Sequence, residues 1–126
     1  MLNKIVNTLA ILASALLLVS GLRWLVDPEG AAAGLGMPLL DGIARSTQIG
    51  DLMAFFIVAG AFGLVGIMRD IPSLLYTPAA LVGAAALFRI LATVVHDATL
   101  ATQMIAVEAI MLVIFVAAAR RVGHQG

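Results

Sequence analysis

The stretch LFRILATVVHDATL, residues 87–100, closes one apolar run and opens another and carries three ionisable residues, Arg89 set inside the first run and His96 and Asp97 at the break. Two apolar runs joined by so short a turn, His96-Asp97-Ala98, must lie side by side and antiparallel. Each run is long enough, at about 20 residues, to cross the roughly 30 Å of hydrocarbon in a bilayer. The fold therefore reads outward from this hairpin as a set of membrane spans.

Composition agrees with that reading. The chain has 126 residues, 63% of them hydrophobic and 11% charged, with a mean hydropathy of +1.13. That leaves too little polar surface to cover a water-soluble globule. Seven basic and seven acidic residues cancel, so the basic stripe that marks nucleic-acid binding is missing. Cysteine is absent, which excludes disulfides, thiolate catalysis and Cys-based metal sites.

Four apolar runs are expected to span the membrane as helices, at about residues 5–24, 46–68, 72–95 and 99–119, in a single domain covering 1–126. The first carries Arg23 and Trp24 near its end, a pair read as an interfacial anchor, before the Asp27-Pro28 breaker. Lys4 followed by an apolar run resembles a secretory signal, with the alanines at 31–33 as a cleavage site. The run exceeds the usual ~7–15 residues of such signals, so a retained span is expected. The 27–46 connection is too apolar for a solvated loop and is expected at the membrane surface or over the mouth of the bundle.

In the second span Gly60, Gly63 and Gly66 recur on small-residue spacing, and packing against a neighbouring helix is their expected role. Pro72 suits the first turn of the third span, and Pro78 is expected to kink it. Lys4, Arg69, Arg120 and Arg121 fall on one side of the membrane, against Arg23 and Arg45 on the other. The positive-inside rule then places both termini in the cytoplasm. The expected fold class is an all-α, integral membrane four-helix bundle.

Counting inward from the expected span ends at ~1.5 Å per residue puts Asp51, Arg89 and Glu108 roughly 8–14 Å deep in the same half of the membrane. Each such charge costs about 2.5–3.5 kcal/mol unless paired or hydrated. The three are therefore expected to meet inside the bundle as a carboxylate, guanidinium, carboxylate cluster, since the guanidinium fork serves two acceptors and stays charged. Gln48, three residues before Asp51, shares its face, and His96 and Asp97 would sit at the rim. Gln103 lies about 140° around the helix from Glu108 and is the weaker candidate.

Such a cluster has two readings. It fixes helix register, the best attested use of buried polar groups, or it lines a pocket. As a pocket it would bind a lipophilic small molecule, such as a quinone, isoprenoid or lipid, through Gln48, Arg89, His96 and Asp97. An enzyme would use Asp51 and Glu108 for acid/base isomerisation or hydration of a similar substrate. A structural oligomer, or a place in a larger membrane complex, is the remaining alternative. His96 and His124 fall on opposite membrane faces and cannot share a metal. The set His96, Asp97, Glu108 lacks any known ligand spacing. No phosphate loop or nucleophile motif is present, and neither a metal nor a cofactor is expected.

DPEG after the first span, Arg89 followed by His96-Asp97 at the turn, and Glu108 midway in the fourth span together resemble the DoxX-like group of small four-helix membrane proteins, in its uncharacterised bacterial branch. The resemblance covers nearly the full length and rests on Pro28, Gly50, Arg89, Asp97 and Glu108. It implies a four-helix membrane bundle in the bacterial inner membrane. The group's best-known members are associated with membrane quinone oxidation, so the resemblance also implies that a redox partner is conceivable.

Overall fold

A computed structural model describes residues 1–125; Gly126, the last residue of the expected domain, lies outside them. The chain forms five helices: α1 (Leu2–Val26), α2 (Pro28–Gly34), α3 (Gly42–Met68), α4 (Pro72–His96) and α5 (Thr102–Gln125). Four of them are long and apolar enough to cross a membrane. At 25, 27 and 25 residues, α1, α3 and α4 measure roughly 37–40 Å, longer than the hydrocarbon they need to span. The protein is a multi-pass, all-α four-helix bundle whose two termini lie at one end, with α2 at the other.

The helix surfaces confirm the solvent. Leu12, Leu16, Val19, Ile110 and Val113 are each more than half exposed. Large apolar side chains therefore cover the outside of the bundle as well as its centre, an arrangement suited to lipid contact.

The long helices form a ring in the order α1, α3, α4, α5, with α1 against α3 and α4 against α5 as its closest neighbours. Small residues allow this. A Cβ on Gly60 would stand 2.7 Å from Leu18 Cγ and 2.8 Å from the Leu18 backbone nitrogen, and one on Gly66 would stand 2.8 Å from Leu75 Cγ. On Gly63 it would meet Ser14 Oγ and the ring of Phe115. Without an exclusion force between helices in lipid, close backbone approach supplies much of the association energy. The expected packing role of these glycines is thus the one they have. Around them Ala10, Ala59, Leu75, Ala79, Phe115 and Ala118 form a core at the terminal end of the bundle.

Two helices end on a left-handed aspartate. Asp70 and Asp97 adopt left-handed backbone, φ 54° and 55°. The following amides reach back, Ile71 N–H to Gly66 O at 2.9 Å and Ala98 N–H to Ala92 O at 3.2 Å. The first is the six-residue bond of a Schellman stop; at the second end the Asp97 amide also reaches Ala92 O, so that one carbonyl closes both a six- and a seven-residue loop. Pro72 then opens α4 at its first turn, and α4 continues without a break past the buried Pro78.

Three local expectations change. Trp24 is no interfacial anchor: only 1% of it is exposed, and it packs under α2 against Ala31 and Ala32. Asp27 brings this about by accepting a hydrogen bond from Gly30 N–H at 3.2 Å, which caps α2 and turns it back over the end of α1. The fourth span is shifted, beginning at Thr102, whose amide bonds Leu100 O at 2.9 Å. At its other end α5 runs past the expected 119 to include Arg120 and Arg121, and the Arg121 guanidinium donates to Asn7 of α1.

Candidate functional site: a polar pair in a lateral cavity

Arg89 on α4 donates from Nε to Glu108 Oε1 on α5 at 3.0 Å. The hairpin read from the sequence brings them together, because antiparallel neighbours joined after His96 place residues on either side of the turn at one level. Arg89 lies seven residues before the end of α4, about 10 Å along the helix. The Glu108 side chain is 13% exposed and that of Arg89 is 32% exposed. At this distance the pair is a charge-assisted hydrogen bond between two half-buried side chains.

Both side chains line a cavity of ≈ 560 Å³. Leu17, Val82 and Met111, all buried, form its floor, and Phe55 and Phe56 of α3 form one wall. The two phenyl rings meet edge to face with centroids 5.1 Å apart, a stable arrangement for neighbouring aromatics. Gly34 and Leu35 reach in from the end of α2, so part of the 27–46 connection does border the cavity. A second, smaller cavity of ≈ 160 Å³ at Arg23 and Trp24 shares Ser20, Gly34, Leu35 and Phe56 with the first.

The mouth is lateral. Leu16 on α1 and Val107 on α5 line the cavity while remaining 53% and 45% exposed on the bundle surface. The seam between α1 and α5 is the least closely packed of the four neighbouring pairs in the ring. It is closed at the terminal end, where Asn7 meets Arg121, and open towards α2.

The expected three-charge cluster does not form. Asp51 is exposed, lines neither cavity and joins no salt bridge among the described residues. The cause is where α3 begins. It starts at Gly42, so its first turns rise past the end of α1. With Gly21 against Ile57, and Gly60 and Gly63 against Leu18 and Ser14, Asp51 comes level with the last residues of α1. It is therefore shallower than a count from Ser46 implied.

Gln48 is buried, but its amide faces away from the cavity. Oε1 accepts from Leu40 N–H at 2.9 Å, and Nε2 donates to Pro38 O at 3.1 Å and to Met37 Sδ at 3.6 Å. It pins the segment between α2 and α3. His96 and Asp97 are exposed at the end of α4 and line neither cavity. Gln103, the weaker candidate, does border the main cavity, as do Ser20 and Met104. Ser20 faces the same cavity as Glu108, and a polar residue within an otherwise apolar span was the available signal for it. No group of three or more metal-binding side chains is found among the described residues.

The fold and this cavity define a multi-pass membrane protein with one polar ion pair opening on an apolar, laterally accessible space. No protein-family model, no curated protein and no solved structure matches the chain.

Proposed function

We propose that the protein binds a lipophilic small molecule, a quinone, isoprenoid or lipid, with its polar end at Arg89 and Glu108 and its apolar body between the helices. The observation that carries this reading is the ion pair opening on the cavity. Of the guanidinium nitrogens, Nε is committed to Glu108, and neither terminal nitrogen is buried without a partner. Both have donors to offer. The cavity volume of ≈ 560 Å³ falls within the roughly 300–1,000 Å³ of small-molecule sites. Ionisable groups at this depth are functional candidates by default.

In this proposal the protein belongs to the DoxX-like group and to the bacterial inner membrane. Both termini are cytoplasmic, and the cavity lies in the outer half of the bilayer. The protein acts alone, as a homo-oligomer or as an accessory subunit. Acid/base catalysis by Asp51 with Glu108 is not advanced, since the two carboxylates do not share the cavity.

The test is mass spectrometry of organic extracts from the purified protein. A homogeneous lipophile is expected with the wild type and is lost in Arg89→Leu that still folds. Extracts of the two proteins with the same mixed bilayer lipids would refute the reading. Because the chain has no cysteine, single cysteines at Ser73 and Thr99 report the topology by labelling from either side of the membrane.

A further inference from the structure

The charge count of the cavity selects the head of its ligand. Among the described residues Arg89 and Glu108 are the only charged side chains lining the cavity, and they neutralise each other at 3.0 Å. The rest of the lining is apolar or uncharged, with Ser20, Thr102 and Gln103 its only other polar side chains. A ligand bearing a carboxylate, phosphate or ammonium would make this site net charged in a low-dielectric setting, where an uncompensated charge is strongly disfavoured. An uncharged head carries no such penalty.

The hydrogen-bonding capacity that remains is also specific. The guanidinium has five N–H donors in a planar fork, of which only Nε–H is committed to protein. Glu108 Oε2 has no hydrogen-bond partner among the described residues and, like the terminal guanidinium nitrogens, is not buried in protein. Ser20 Oγ spends its own proton on Leu16 O at 2.8 Å, which leaves it an acceptor. The site therefore presents several donors beside acceptors that include Glu108 Oε2 and Ser20 Oγ, matched by a carbonyl or a hydroxyl. The mouth between Leu16 and Val107 faces the lipid, so the ligand arrives from the bilayer. A space of this size suits a drug-sized molecule rather than a two-tailed phospholipid.

Resting on the binding function proposed above, we infer that the cavity takes a single-chain, uncharged lipophile with a carbonyl or hydroxyl head and rejects its ionised counterparts. Glu108 sets this preference by cancelling Arg89.

The experiment is competitive photolabelling in vesicles of phosphatidylethanolamine and phosphatidylglycerol at alkaline pH. The probes are hexadecanol, hexadecanoate and hexadecyltrimethylammonium, each carrying a mid-chain diazirine, with adducts located by peptide mass spectrometry. On the wild type, hexadecanol labels peptides containing Leu17, Met104 or Met111, and excess unlabelled hexadecanol abolishes that labelling. The two ionic probes label them roughly tenfold less, the direction set by the cost of a lone charge at depth. In Glu108→Gln, which keeps an acceptor for Arg89 and leaves the site with one net positive charge, the preference inverts towards hexadecanoate. Competed labelling by an ionic probe at least as strong as by hexadecanol in the wild type would overturn the inference while leaving the binding function standing. So would an unchanged preference in Glu108→Gln. If no probe gives competed labelling and adducts fall only on lipid-facing positions such as Val94 and Val113, the binding function itself fails.

Discussion

Replacing Glu108 by leucine removes the partner of Arg89 and leaves a guanidinium facing an apolar cavity. Breaking a buried ion pair by deleting one member costs about 3–5 kcal/mol, mostly through the charge left behind. Arg89 keeps about a third of its side-chain surface, so Glu108→Leu belongs near the lower end, about 3 kcal/mol, or roughly two powers of ten in the folding equilibrium. Arg89→Leu strands a carboxylate whose side chain is only 13% exposed, and about 4 kcal/mol is expected. The double variant Arg89→Leu/Glu108→Leu removes both charges together and is expected within about 1 kcal/mol of the wild type, because apolar replacements of buried pairs are often neutral or stabilising. Helix content followed by circular dichroism during unfolding in mixed detergent micelles gives all four stabilities and the coupling energy. Single variants as stable as the wild type, or a double variant as unstable as the worse single, would refute the pairing and partial burial described for these residues. The double variant also separates register from function: it folds, and it no longer retains the lipophile.

Gly60→Ala places a methyl 2.8 Å from the Leu18 backbone nitrogen, so α1 and α3 must separate; a loss of about 1–3 kcal/mol is expected in the same unfolding assay, and none would contradict the close approach. Gln48→Leu leaves the Leu40 amide without its 2.9 Å acceptor, and hydrogen exchange at Leu40 should accelerate while exchange in the centre of α3 stays slow. Asp97 sits at φ 55°, and Asp97→Gly is expected to stabilise by about 0.5 kcal/mol, the left-handed strain relieved less the added freedom of the unfolded chain. A destabilised Asp97→Gly would show that the aspartate side chain has a role beyond ending the helix.

How far the sequence could be read depended on whether one helix or several set the answer. The four spans were legible because each is a property of its own run of residues, and the glycines at 60, 63 and 66 were legible because their spacing already defines a face. Arg89 and Glu108 were legible because a short turn sets the register of their two helices. Asp51 was not, as its depth depends on where α3 starts, and the residues at 42–46, with Gly42, Arg45 and Ser46 among them, resemble connection until the helix is seen to begin at Gly42. Trp24 beside Arg23 has the composition of a membrane interface. Only the fold of α2 back over it, capped by Asp27, reveals that protein rather than headgroups covers the indole. The lateral mouth was equally hidden, for it exists because the α1 and α5 seam closes at one end only, a relation between residues about a hundred positions apart such as Asn7 and Arg121.

The central claim is that the space beside Arg89 and Glu108 holds a lipophile. Native mass spectrometry of the protein released from detergent tests it most directly, comparing the wild type with Val107→Trp, which fills the mouth of the cavity and leaves both charges in place. The wild type is expected to carry one adduct of uniform mass per chain, and Val107→Trp, equally folded, to carry none. A wild type without a uniform adduct, or an adduct kept unchanged in Val107→Trp, would contradict the account.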